Sequence, residues 1–282
     1  MTPPPATTFH DRATAEAFLR GIAGRGEATL PLAEAALALA ALDRPRVDLA
    51  RYHHHLAALG REVGEAAASG AADPVEALNS VIIGRYGYAG DTLTYDDLQN
   101  ANLMRVIDRR KGLPVALGIL YIHAARAQGW DMAGLAFPGH FMVRLEHEGE
   151  RRIIDPFHEG RVREAAELRE LLKSAAGQAA ELAPAHYADV SDRAVLLRLQ
   201  NNVKLRLVQT RQMEKALAAI ESMMLFAPDE ASLWWESSQI NAAMGKLRAA
   251  IAALERFLAL CQDGAQRHRA ATLLQQLRAR LQ

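Results

Sequence analysis

The stretch KGLPVALGILYIHAARAQG, residues 111–129, carries a proline near its start and closes on a glycine. Pro114 suits a first helical position, where its missing N–H is not needed, and Gly129 suits a helix stop. Between them Val115, Leu117, Ile119, Leu120, Tyr121 and Ile122 are apolar almost all the way round rather than along one stripe. Such a helix has to be covered on every side, so the pattern predicts a central, buried helix over residues 114–128.

The neighbouring segments say what covers it. Downstream, GLAFPGHFMVRLEHEGERRIIDPF (residues 134–157) alternates, with Phe141, Val143 and Leu145 on one face and a Glu-Gly-Glu turn ahead of a second run. This predicts an antiparallel hairpin with strands over 140–146 and 151–155. Upstream, LPLAEAALALAALDRP (residues 30–45) is an Ala- and Leu-rich helix stopped by Pro45. A second helix follows over 47–70, and a third is expected near Asp73, with Pro74 in its first turn. RYGYAGDTLTYDD (residues 85–97) has the Gly, Tyr and Asp content of an irregular loop.

Beyond residue 191 the pattern is helical throughout and repeats. Ala216 and Ala250 stand 34 positions apart, with Leu217/Ile251 and Ile220/Leu254 in register around them. Thirty-four residues is the period of tetratricopeptide helix pairs, and Pro228, Trp234, Trp235 and Gly245 fall at the junction, first helix and turn of such a unit. The expected division is a disordered stretch over 1–8, a helical region over 9–75, a mixed core over 76–190 and tetratricopeptide-like helices over 191–282. The fold class is therefore α+β.

Composition narrows the function. Thirty-three Lys and Arg balance 33 Asp and Glu among 282 residues, so no global charge steers the chain to nucleic acid or an anionic membrane. No apolar run approaches the ~20 residues that span a bilayer. The N-terminus lacks the basic start and apolar core of a secretory signal, and the cytoplasm is the expected compartment. A single cysteine, Cys261, excludes an internal disulfide. The three consecutive histidines at 53–55 point ~100° apart on a helix and cannot converge on one ion. His123, His147 and His158 have no ligand spacing, so no metal and no cofactor is expected.

Papain-like and transglutaminase-like enzymes place a thiolate at the start of a buried helix packed on a sheet. A strand histidine takes its proton, and an Asp or Asn on the next strand orients that imidazole. Here His140 opens the first predicted strand and Asp155 closes the second, which sets them near one another across the hairpin. At the helix start stand Pro114, Val115 and Ala116, none of which can attack anything. Cys261, three residues after Leu258 at a helix end, reads as a packing thiol. The base and its orienter are present without a nucleophile, and the pair is either a structural remnant or faces a ligand.

Several of these segments together resemble the bacterial SirB family of transglutaminase-like proteins: residues 30–45, YDDLQNANLMRVIDRRKGLPVALGILY (95–121), FPGHFMVRL (137–145) and IIDPFHEGR (153–161). The resemblance spans roughly residues 30 to 260. It implies a helical N-terminal part, a transglutaminase-like core of the papain-like cysteine-protease type with an antiparallel sheet, and an interaction-prone tetratricopeptide-like C-terminus. The family often shows Asn-Ser where this chain has Asn100-Ala101, and small hydroxyl residues where it has Ala116 and Gly118. Asn100, Lys111, Pro114, His140 and Asp155 are the expected binding residues, with Lys111 in a basic Arg-Arg-Lys-Gly run just ahead of the helix. The expected function is a non-catalytic scaffold, regulatory in role, for a protein or peptide partner. The alternative is a cysteine-independent hydrolase or amidase using His140 and Asp155.

Overall fold

The computed structural model describes residue 9 and residues 11–26, 29–70 and 73–281. The disorder expected over 1–8 lies outside these residues. The chain forms two compact units: the described residues of 9–18 and 25–199, and those of 19–24 and 200–281. Two of the boundaries fall inside helices, and apart from residues 19–24 the described helical N-terminal region shares a unit with the mixed core.

In the first unit the N-terminal part of α1 (Arg12–Ala23), α2 (Leu32–Asp43), α3 (Ala50–Ala68) and the short α4 (Pro74–Asn79) come first. α4 begins as its sequence dictates, with the Asp73 carboxylate accepting from the Val75 N–H at 2.8 Å and Pro74 in the first turn. A wider turn over Ser80–Arg85 leads to β1 (Ala89–Gly90), which pairs in parallel with β2 (Lys111–Gly112) across α5 (Leu103–Arg109).

α6 (Pro114–Arg126) is the central helix, with every side chain from Pro114 to Ile122 buried. Helices α2, α3 and α5 pack against it on one side and the sheet on the other. That sheet contains β3 (Asp131–Leu135), β4 (Val143–His147), β5 (Glu150–Asp155), β6 (Arg161–Val162) and, after α7 (Ala165–Ala176), β7 (Asp189–Val190). Its order is β6-β5-β4-β3-β7, with every pair antiparallel. Glu148 and Gly149 both take positive φ, 51° and 82°, which is the two-residue turn whose twist suits a hairpin.

The hairpin differs from the sequence expectation in one respect that matters. β4 starts at Val143, not at residue 140, because Pro138 has no N–H to offer a ladder and Gly139 sits at φ 72°. His140 therefore lies in the turn leading into the strand. β3 was not expected at all, since Ala133 and Gly134 supply none of the side-chain alternation that marks a strand.

Close approach of helix to sheet is set by two glycines. The buried Phe141 ring is clasped between Gly118 of α6 and Gly134 of β3. A methyl group on Gly118 would lie 2.4 Å from a Phe141 ring carbon, and one on Gly134 would lie 2.9 Å from the same ring.

In the second unit, the C-terminal part of α8 (Asp192–Gln209) is followed by α9 (Met213–Phe226), α10 (Ala231–Ala243), α11 (Leu247–Leu260) and α12 (Gly264–Leu281). α9 and α11 each hold 14 residues and begin 34 positions apart, as the Ala216/Ala250 register predicted. Gly245 (φ 73°) turns α10 into α11. Trp234 donates to the Pro228 carbonyl at 2.7 Å, and Trp235 packs at a tilt against Phe257, so both indoles border the repeat core.

Replacing Gly118 by Ala gains ~1 kcal/mol of helix propensity. It forces overpacking against a ring that Gly134 prevents from retreating, at a cost of roughly 1–3 kcal/mol. The variant is expected to melt below the wild type in a thermal scan. A higher melting temperature would mean that the Phe141 contact yields freely.

Candidate functional site

Asp155 ends β5 with no solvent exposure, and the chain turns at once through Pro156. One carboxylate oxygen, Oδ1, accepts the backbone N–H groups of Phe157 and His158, both at 3.2 Å. The other, Oδ2, is the focus of three side chains. His158 Nδ1 lies at 2.8 Å, Arg163 donates from Nη2 at 2.7 Å and from Nε at 3.1 Å, and His140 Nε2 stands 2.9 Å away. The His140 contact has ion-pair distance but lies off the line of the ring N–H, and Nε2 has no aligned hydrogen-bond partner.

Burial alone would raise the Asp155 pKa. The imidazole of His140, the guanidinium of Arg163 and the His158 ring outweigh it and hold the carboxyl far below the usual carboxylate range. Arg163 also reaches Glu167 at 3.4 Å, which fixes its guanidinium from behind.

The geometry brings His140 and Asp155 together and adds two residues that spacing did not single out. His158 is not an isolated histidine, as its lack of a ligand spacing suggested. Asp155, Pro156 and the following turn fold it back onto the carboxylate three positions earlier. Arg163 returns from beyond β6. The only sequence signal was the Asp-Pro-Phe-His run itself, in which an Asx-type turn makes the i to i+3 contact natural.

His140, Asp155 and His158 offer ligating atoms within 4.8 Å of one another, the one such trio among the described residues. A cation held there would have to displace the Arg163 guanidinium from the same oxygen. An aromatic file connects this hub to the surface: His140 to His158 (5.5 Å between ring centres), His158 to Phe157 (5.3 Å) and Phe157 to Tyr95 (5.7 Å). Tyr95 and Leu93, the latter 85% exposed, stand on the loop before α5.

Asn100 is fully buried. Its amide donates to the Thr94 carbonyl at 2.6 Å, its side-chain oxygen accepts from Arg109 at 2.8 Å, and its backbone carbonyl receives the Leu113 N–H at 2.9 Å. Arg109 in turn grips Asp91 at 2.7 Å, and hydrogen bonds from Thr94 keep the Asp91 carboxyl low. Asn100 thus braces the 91–100 loop against the start of α6 and presents no face to a ligand. Pro114 is buried at the helix start, and Lys111 is exposed on β2. Tyr121 of α6 donates to Asn79 at 2.7 Å, and Asn79 donates to the Gly160 carbonyl at 3.0 Å, which pins the turn carrying His158.

A helix buried against an antiparallel sheet, with a histidine and an aspartate meeting beside it, is the transglutaminase-like arrangement. Residues 50–201 match the transglutaminase-like superfamily, and residues 203–275 match a tetratricopeptide repeat. A UPF0162 protein of Xylella fastidiosa (strain Temecula1) is 29% identical over 82% of this chain and 84% of its own length. One from Vibrio cholerae is 30% identical over 71% and 75%, and Protein SirB1 of Salmonella typhimurium is 27% identical over 56% and 59%. The chain belongs to the transglutaminase-like superfamily and, within it, to the group of the SirB1 and UPF0162 proteins. Among the described residues no helix is long and apolar enough to cross a membrane.

Asp155→Asn removes a charge on which three cationic or imidazole groups converge. It is expected to cost about 3 kcal/mol or more, because the partly buried guanidinium of Arg163 loses its nearer carboxylate and keeps only the longer contact to Glu167. The pH dependence supplies a second readout. The folded carboxyl titrates below its unfolded value of ~3.9, so its stabilisation is complete above that pH and drains away as pH falls toward the folded value. Denaturant melts from neutrality to acid should show a steep loss below pH ~4 in the wild type and a shallower one in the variant. Identical acid limbs would mean the carboxylate is not the anchor described.

Proposed function

We propose that the protein is a non-catalytic transglutaminase-like scaffold that holds a protein or peptide partner in a regulatory role. The observation that carries this reading is the start of α6. Leu113, Pro114, Val115 and Ala116 occupy the place of an attacking group, all are buried, and none has a thiol, hydroxyl or carboxylate. The only thiol, Cys261, is buried in the helical-repeat cluster with Phe257 and Leu254.

Two further features support binding over turnover. Tetratricopeptide helix pairs present extended surfaces suited to polypeptide segments. On α8, the large apolar residues Leu205 and Val208 are exposed. The repeat match favours a protein partner over nucleic acid, and the near-neutral net charge agrees. The cytoplasm is the compartment proposed for it. In the core, Phe157 and the exposed Tyr95 and Leu93 form an apolar lip beside the His140–Asp155 hub, a place for a side chain of the partner.

The competing chemistry is hydrolysis by a water activated on His140. That route needs an oxyanion donor as well as a base. The test uses the full chain. Affinity capture from a lysate of the source organism should retain a defined partner, with retention unchanged in Cys261→Ser and unaffected by alkylation. A panel of amide and ester substrates should give no turnover above that of His140→Ala. Turnover that disappears in His140→Ala would replace the scaffold with the hydrolase, and retention no better than that of an unrelated protein would end the scaffold reading.

A further inference from the structure

The basic run ahead of α6 has one cation that is held in place by its neighbours and yet has no carboxylate partner among the described residues. Arg109 is locked into the Asp91–Asn100 brace, and Lys111 is exposed on β2. Arg110, between them, closes α5 in the left-handed conformation, φ 58° and ψ 25°, at a position where helices commonly place glycine. An arginine held there, where glycine would be free of strain, points to a demand for its side chain.

That side chain is built into place. Its guanidinium lies over the rings of Tyr86 and Tyr88, 5.1 and 4.9 Å from their centres. Nη1 donates to the Tyr88 hydroxyl at 2.5 Å and to His55 Nε2 at 2.9 Å, and His55 Nε2 also lies 2.7 Å from the Tyr88 hydroxyl. His55 acts here as a neutral acceptor, since burial and the Arg110 charge push its pKa down to about 4. Among the described residues no carboxylate pairs with Arg110, and its Nε and Nη2 donate to nothing.

The surrounding arginines are different. Arg44 and Arg51 share Asp108, while Arg61 and Arg85 share Glu62, so the carboxylates on this wall are already neutralised. Arg110 faces an open pocket of ≈ 480 Å³, whose rim also carries Arg51, His54 and Arg61. A planar guanidinium oriented by two aromatic rings, with one donor edge engaged and the other free, is a fork that matches two oxygens of one anion.

We propose that this pocket is an oxyanion site, in which the free Nε–Nη2 edge of Arg110 takes two oxygens of a carboxylate or phosphate group on a small ligand. It lies apart from the His140–Asp155 hub and is independent of the scaffold reading. The rings preset the fork, His55 and Tyr88 hold its far side, and Arg51 and Arg61 at the rim supply attraction without fixing register.

The test is calorimetric titration of the full chain with inorganic phosphate and, separately, with succinate, at constant ionic strength. Alongside it, the Arg110 Nε–H resonance is followed by NMR. Saturable one-to-one binding of at least one probe is expected, with a shift of that resonance. Affinity should fall by more than ~10-fold in Arg110→Lys, which keeps the charge and loses the fork. Arg151→Gln, at an exposed arginine paired with Glu146, should bind as the wild type does. The probe that binds decides between phosphate and carboxylate. Should Arg110→Lys fold poorly, the shift of the wild-type Arg110 Nε–H resonance on titration still decides the matter. Absence of saturable binding by either probe, or equal affinity in wild type and Arg110→Lys, overturns the proposal.

Discussion

The constraint on which the first unit depends is the burial of α6. A helix with apolar groups on all sides cannot end a layer, so it must sit between one. The Ala- and Leu-rich α2, itself buried along nearly its whole length, packs on one side of it, and α3 and α5 complete that side. On the other side the sheet meets α6 through Phe141, which fits only because residues 118 and 134 lack side chains. The same contact sets the height at which the turn before β4 leaves the sheet, and so places His140 beside the end of β5. Packing and site geometry are thus one problem.

A second consequence concerns how charge is tolerated inside this unit. Asp155 and Asp91 are almost completely buried, and each is supplied with several donors from the chain nearby: Phe157, His158 and Arg163 for the first, Thr94 and Arg109 for the second. Arg144 on β4 is handled the same way, pairing with Asp189 of β7 and Glu146 at 2.7 Å each and with Asp131 of β3 at 3.3 Å. Buried ions of this kind add little net stability against an apolar alternative. They fix which strand end or loop lies where, because only one arrangement satisfies all the donors.

What could be read from the chain follows the same physics. The central helix was legible because Pro114, Gly129 and an unbroken apolar surface carry local information, and the repeat was legible because 34-residue spacing survives in Ala216 and Ala250. β3 was hidden because Gly134, which gives room to Phe141, and Ala133 beside it break the side-chain alternation that marks a strand. His158 and Arg163 were hidden for another reason. Their partner is fixed by the path of a turn through Pro156 and by the return of the chain after β6, and neither periodicity nor ligand spacing encodes a path. Asn100 shows the opposite case: a polar residue in a distinctive motif reads as a ligand contact, while its side-chain hydrogen bonds run to Thr94, Tyr95 and Arg109 inside the fold.

The state of the Asp155 carboxylate bears on what the retained histidine is for. In a thiol enzyme the orienting acid serves one imidazole, and its charge is kept available to stabilise the imidazolium as the proton arrives. Here the same oxygen is divided among His158, both nitrogens of Arg163 and the off-line contact of His140. That same division makes the carboxylate a better mechanical anchor, since losing any one donor leaves the others in place. What such redundancy holds is a shape: the turn carrying Phe157, His158 and the lip with Tyr95. Arg163 and the apolar start of α6 act alike in this respect: one commits the buried charge to holding the turn, and the other packs the helix start with side chains that carry no charge.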